Sequence, residues 1–282
     1  MALWAVVLPG LAAAQPVILL EPKVGPYRVA AQAAKAQLKE PREVDASSAD
    51  VATQLQGATV IVAIGQKAFE LARDGNQNTP VVACMLLGAD RSLYSGKVTG
   101  VPLETDPAQV LRHIRALLPD AKRVGVVYHP GNSRMLMDEA QKAGRAQGVS
   151  LVLKEVKSPG EVRGAVSSLA GGIDVLWLPP DPRLYTREMF NSLLQLSAEQ
   201  KIPLIGFLEG FTQAGALASV SPDFTQMGTR AGALAAEVLA GRGEVPPPVY
   251  TPGTLSVNLK TARALDLSLP EAAVEAAPKV FR

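Results

Sequence analysis

The residue whose setting most suggests chemistry is Asp181. The apolar run from Asp174 to Leu178 stops abruptly in Pro179-Pro180-Asp181-Pro182, so a carboxylate stands among rigid prolines at the end of a core strand. One carboxylate is not a catalytic pair, and no second acid falls where sequence places it beside Asp181 for acid–base work. Other reactive types are as sparse. Cys84 is the only cysteine and lies inside the apolar stretch PVVACMLLG, where it reads as a buried, inert thiol. A single cysteine also excludes an intrachain disulfide and an all-cysteine metal site. His113 and His129 match no metal-ligand spacing. Neither a G-x-S-x-G elbow nor a glycine-rich phosphate loop follows a strand. The expectation is a chain with no catalytic residues, no metal and no cofactor.

Composition points the same way. Of the 282 residues, 48% are apolar and 19% charged, which supports a large core and argues against disorder. The net charge of +2 is small and evenly spread, with no basic stripe interleaved with aromatics, so nucleic acid is excluded as a partner. The opening MALWAVVLPGLAAAQP has the apolar stretch and small-residue site of an export signal, read as residues 1–15, although no Lys or Arg precedes it. Cleavage after Ala14 would leave Gln15 first. A buried first strand or helix is the alternative.

Short apolar runs alternate with amphipathic stretches from residue 17 onward. PVILLE, ATVIVAIG and TPVVACMLL read as strands, separated by YRVAAQAAKAQLK and QKAFELARDG as helices. Continuous rather than alternating apolarity predicts parallel strands covered on both faces. Asp106-Pro107-Ala108-Gln109 then opens a helix with an Asp cap, a first-position proline and a glutamine placed for a capping box. RVGVVY, SLVLKEV, DVLWLPP, IPLIGF and ALASVS continue the strands, EGFTQAG reads as a loop, and a long helix starts at Pro222 with Ser221 as its cap. EVPPPVYTPG is a proline-rich connector. Two successive β-α-β runs with a break between them predict an α/β fold of two doubly wound parallel-sheet lobes, not a closed barrel.

In open sheets of this kind ligands sit beyond the carboxyl ends of the strands, where helix N-termini also point. Those ends carry Glu21 and Lys23, then Gly65, Gln66 and Lys67, then Met85. In the second run they carry Tyr128, His129, Asn132 and Ser133, then Asp181 and Tyr185, Phe207 and Glu209, Ser221 and Asp223. Tyr27, at the start of the first helix, joins the ligand-binding candidates. Aromatic walls with a few polar groups suit a small organic ligand. Asn132 and Ser133 serve equally as helix caps, Asp181 as a turn cap, and Trp177 as core.

Three stretches resemble a known family. VTGVPLETDPAQVLRHIRALLPDAKRVGVVYHPGN, DFTQMGTRAGALAAEVLAGRGEVPPPV and TLSVNLKTARALDLSLPEAAVEAAPKV are similar to segments of the ABC-transporter substrate-binding family that includes bacterial tryptophan- and tyrosine-binding proteins. The resemblance covers about residues 98–282. It implies a type I periplasmic-binding fold with three crossovers and an interlobe cleft. Lobe 1 would hold residues 16–120 with 222–252 returning to it; lobe 2 would hold 121–221, with 253–282 packing there or at the hinge. Asn258 and Lys260 would be structural. EPKVGPYRVA and CMLLGADRS depart from the family pattern, so no lobe-1 contacts carry over.

The function this implies is an exported, periplasmic, monomeric solute-binding protein that delivers its ligand to an ABC permease in the inner membrane. For an amino acid, the carboxylate would meet helix N-termini near Asn132-Ser133 or Gln66. The ammonium would meet Asp181 or Glu209, and Tyr128, Tyr185 and Phe207 would wall the side chain. A periplasmic sensor docking on a membrane receptor or kinase, and a cytosolic α/β enzyme, are the alternatives.

Overall fold

The computed structural model describes residues 14–75, 78–88, 91–181, 183–241 and 245–282. The expected export signal lies outside them except for its last two residues, and no described helix is long and apolar enough to cross a membrane. The first lobe contains β1 (Gln15–Leu20), α1 (Gly25–Lys35), β2 (Arg42–Asp45), α2 (Val51–Gln54), β3 (Ala58–Ile64), α3 (Gln66–Gly75), β4 (Val81–Leu86) and β5 (Val98–Pro102). Its strands form a parallel sheet in the order β2-β1-β3-β4-β5. Alternate residues of each central strand enter opposite cores. Ile18, Leu20, Val60 and Val62 face one side, while Val17, Leu19, Ile61 and Ala63 face the other with Phe69 of α3. That two-sided burial is why the runs are continuously apolar. The edge strand β2 has only Val44 buried, which hides it from sequence reading.

Next come α4 (Pro107–Leu117), β6 (Arg123–Tyr128), α5 (Pro130–Gln147), β7 (Ser150–Glu155), α6 (Pro159–Leu169), β8 (Val175–Trp177) and α7 (Arg187–Gln200). β9 (Leu204–Gly206), α8 (Glu209–Ala214), β10 (Ala218–Pro222), α9 (Phe224–Ala240), β11 (Gly253–Asn258), α10 (Leu259–Ala264), α11 (Glu271–Glu275) and β12 (Lys279–Phe281) complete the chain. The second sheet runs β12-β11-β10-β9-β8-β6-β7, parallel except where β10 meets β11. Trp177 is core, as read.

Four local expectations change. EGFTQAG contains a short helix, α8, rather than a loop. The long helix α9 starts at Phe224, capped by the Asp223 side chain accepting from the Gln226 amide at 3.0 Å, because Ser221 and Pro222 remain paired in β10. Gln109 closes no capping box at α4, where Asp106 alone caps through the Ala108 amide. Finally, α4 packs on the second lobe: Val110, Leu111, Ile114 and Leu117 share a core with Val124 and Val126 of β6. The chain therefore changes lobes at 103–106, before this helix rather than near residue 120. An apolar helix face must follow the sheet that can bury it.

Three crossings join the lobes. Thr105 bridges Thr251, and the Asp106 amide donates to the Thr251 carbonyl at 3.0 Å. Gln109 reaches the third crossing instead of its own helix, its Nε2 donating to the Gly253 carbonyl at 3.1 Å and its Oε1 accepting from the Gly253 amide at 2.6 Å. Gly253 has no room for a side chain: a Cβ would lie 2.5 Å from Thr105 and 2.6 Å from the Ser221 carbonyl. All three crossings thus converge on one glycine.

The second crossing returns α9 to the first lobe, where Met227, Ala231 and Leu234 join the core of Ala30 and Ala34. Gly228 and Gly232, one turn apart, let α9 lie directly on α1. A Cβ on Gly228 would fall 2.0 Å from the Ala30 carbonyl oxygen, and one on Gly232 2.5 Å from that of Ala34. Gly228→Ala is therefore expected to cost about 2 kcal/mol by overpacking, despite the roughly 1 kcal/mol alanine gains in helix propensity. Gly164→Ala in α6, where a Cβ meets nothing within 4 Å, is the control. Urea unfolding that shifts both variants alike would refute the close-packing account.

Candidate ligand-binding cleft

Two hollows between the lobes share a wall of Tyr27, Met85, Leu87, Leu103 and Pro180. The smaller, about 240 Å³, is closed by apolar groups that include Phe207, Pro222 and Phe224. The larger, about 670 Å³, is bordered by Gln66, Glu70, Gly88, Asn132, Asp181 and Arg183. The cleft is therefore divided by chemistry into an aromatic end and a polar end.

Each wall has a local cause. The Tyr27 ring lies flat against Gly65, where a Cβ would come within 2.5 Å of it. Partial burial, and secondarily the Glu21 carboxylate, hold the Tyr27 phenol above its ordinary pKa. Met85 adopts a left-handed backbone, φ 61°, where the β4–β5 register breaks between Cys84 and Leu86. Such strain costs of order 1–3 kcal/mol and is typical where a strand end is re-aimed at a site. Phe207 follows β9 and meets Phe211 edge-on at 4.8 Å, and Phe211 in turn meets Phe190 at 4.3 Å. That stack ties the aromatic wall to the core of the second lobe.

Asp181, fully buried, organises the polar end. Its Oδ1 accepts from the Arg183 amide at 3.1 Å, the Leu184 amide at 3.3 Å and the Asn132 side chain at 3.1 Å. Among the described residues its Oδ2 accepts only from the Asn132 side chain, at 3.1 Å. Asp181 thus caps the turn after the prolines and also holds Asn132 in place. On the opposite wall Gln66 donates to Glu70 at 2.7 Å.

Of the twelve residues read from sequence, Tyr27, Gln66, Met85, Asn132, Asp181 and Phe207 line the cleft. The other six lie elsewhere. Glu21 faces Lys67 at 3.4 Å. Tyr128 donates to Glu155 at 2.8 Å, with its phenol pushed up to about 12 mainly by burial. Tyr185 is core, its hydroxyl donating to the Val127 carbonyl. Ser133 is buried, and Glu209 pairs with Lys279 of β12 at 2.8 Å. Ser221 stays in β10. His129, not Asn132 or Ser133, caps α5, its Nδ1 accepting from the Gly131 amide at 3.1 Å. Sequence reading missed Glu70, Leu103, Arg183 and Phe224. Only Glu70 had a signal, one helical turn after Gln66.

Behind Leu103 stands a buried acid. Glu104 is 3% exposed. Its Oε1 accepts from the Gly88 amide at 2.8 Å, while Oε2 is buried without a partner among the described residues. Burial pushes its pKa up to about 7 against the smaller opposing effect of that bond.

The family model described as ABC transporter substrate binding protein matches residues 31–281. A tyrosine-binding protein of Clostridioides difficile (strain R20291) is 30% identical over 219 residues, which is 74% of this chain and 63% of that protein. The chain thus matches less than two thirds of that relative's length. Among solved structures, the ABC domain from Streptococcus pneumonia in complex with L-Trp is 22% identical, with a TM-score of 0.62 over 96% of this chain and all of that one. The ligand-free, open structure of a substrate-binding protein with adhesive properties from Clostridium difficile is 21% identical, with a TM-score of 0.66 over 95% and 99%. At such identities these structures share the fold.

Glu104 yields a pH prediction. An unfolded glutamate ionises near pH 4.5, whereas the folded one keeps its proton until about 7. Native stability is therefore lost as pH rises through that window, and the penalty is constant above it. Glu104→Gln should match the parent near pH 4 and exceed it by on the order of 3 kcal/mol at pH 8. Urea unfolding across pH checks this; a difference that does not grow with pH would refute it.

Proposed function

The chain belongs to the ABC transporter substrate-binding protein family, whose members bind solutes rather than transform them, and from that premise we propose that it captures an aromatic amino acid between its lobes. One observation carries the reading: the apolar hollow walled by Tyr27, Phe207 and Phe224 adjoins a polar chamber organised by Asp181 and Asn132. A zwitterion with an aromatic side chain has the same two-part chemistry. The tyrosine-binding relative supports this choice of ligand class.

In this reading the ring enters the apolar hollow, where edge-to-face contact with Phe207 adds about 0.5–1.5 kcal/mol beyond burial. The ammonium meets Oδ2 of Asp181, the carboxylate oxygen with a single donor. The ligand carboxylate faces the N-terminus of α3 beside Gln66, with the Arg183 guanidinium on the opposite wall. Glu209 takes no part, since Lys279 occupies it. Binding draws the lobes together about the three crossings. The closed form is what an ABC permease in the membrane would receive, after export of the chain.

The test is isothermal titration with L-tyrosine, L-tryptophan and, as an aliphatic control, L-leucine. The aromatic amino acids should bind, leucine at least tenfold more weakly, and Phe207→Ala should lose about 1–3 kcal/mol of affinity. Asp181→Asn should weaken binding of the amino acids far more than of the deaminated analogue 3-(4-hydroxyphenyl)propionate. Equal loss for both compounds would remove the ammonium assignment, and preference for leucine would overturn the aromatic one.

A further inference from the structure

Glu104 is a carboxylate that the ligand site does not touch, yet it stands at the junction of hinge and cleft. It precedes Thr105, which bridges Thr251 in the hinge, and it follows Leu103, which walls the cleft and whose amide donates to the Leu86 carbonyl at 2.9 Å. Its Oε1 holds the amide of Gly88, just after β4. Gly88 has a left-handed backbone, φ 64°, and its α-carbon faces the other lobe, where a Cβ would lie 2.7 Å from the Asn132 carbonyl oxygen. Asn132 in turn holds both oxygens of Asp181. A continuous line of contacts runs from the hinge, through the Gly88 turn, to the polar end of the cleft.

We propose that Glu104 is a positioning residue for ligand capture: it seats the Gly88 turn against the Asn132 backbone, and closing the lobes over that turn seals its carboxylate from water. This rests on the reading that the ligand is held between the lobes. Parting the lobes lifts Asn132 from Gly88 and admits water to the carboxylate, which favours the ionised form. Closing favours the protonated form, so closure takes up one proton from solvent onto a Glu104 oxygen. Affinity then falls as pH rises from the ordinary carboxylate range toward the closed-state value, and levels off above it.

The surroundings leave this group in control. No described lysine or arginine pairs with Glu104. Tyr94, from the turn before β5, faces it and is itself held neutral by burial. Behind Tyr94, burial pushes the Cys84 thiol of β4 up to about 12. α5 presents the uncharged Asn132, and the third crossing the uncharged Thr251. In its own segment, Asp106 pairs with Arg112 at 3.7 Å. His129, at the start of α5, is present in both the parent and the variant compared below.

The experiment is the dissociation constant of L-tyrosine and L-tryptophan between about pH 5 and 8.5, for the parent and Glu104→Gln. Glutamine keeps a carbonyl acceptor for the Gly88 amide and loses the charge. The parent should weaken by roughly fivefold or more across the range, while Glu104→Gln stays within about twofold of its own value at the lowest pH. Parallel profiles in the two proteins would overturn the proposal. Gly88→Ala, whose new methyl group obstructs the contact, should weaken binding at every pH; parent-like affinity would overturn the contact itself. Should neither amino acid bind, the proposed ligand fails while the latch is still read by small-angle scattering of ligand-free protein. A parent that expands between about pH 5.5 and 8 while Glu104→Gln does not supports it, and identical behaviour overturns it.

Discussion

The architecture turns on the absence of one side chain. Three strands of chain pass between the lobes at Thr105, Ser221 and Gly253, and they meet within contact distance only because Gly253 carries no Cβ. Gln109 then fastens the first crossing to the third through both backbone groups of that glycine. Three crossings packed this tightly cannot slide independently, so the closure proposed above would be a rotation about the bundle. Such a rotation would bring the same residues together each time. Leu103 and Glu104 on one side, Pro222 and Phe224 on another, leave the bundle directly for the cleft, so the hinge and the site are one piece of chain.

The frame was legible from sequence because it depends on burial. Continuous apolar runs such as ATVIVAIG and TPVVACMLL can only be strands covered twice, and the Asp106-Pro107 start of α4 caps as its chemistry dictates. Polar elements escaped. β2 has one buried residue, and the Glu209 helix has six residues in all. The lobe boundary slipped because sequence shows that α4 has an apolar face without showing which sheet claims it.

The site was half legible for a related reason. Fold geometry names the strand ends, and Tyr27, Gln66, Met85, Asn132, Asp181 and Phe207 do converge. It does not say which way a side chain turns. Tyr128 and Tyr185 sit at the correct ends but turn into the core, where each hydroxyl finds an acceptor. Glu209 found a cation on β12, a strand close in space and seventy residues away in sequence. Arg183 and Leu103 belong to a turn and a crossing, and neither has a periodic pattern to mark it. The proline-bound carboxylate at Asp181 caps its own turn and also anchors the Asn132 amide in the cleft.

The seating of α9 on α1 has a consequence for how the molecule is made. The first sheet is complete in strands once residue 102 has been synthesised, yet the helix that covers much of one face is residues 224–240. Until then Ile18, Val62 and their neighbours lack part of their cover, so an early folding unit waits for the late chain. The second sheet also waits, since β11 and β12 come from residues 253–281, and the N-terminal lobe is finished by the return of a segment made more than a hundred residues later. Such long-range closure slows folding and exposes apolar surface meanwhile.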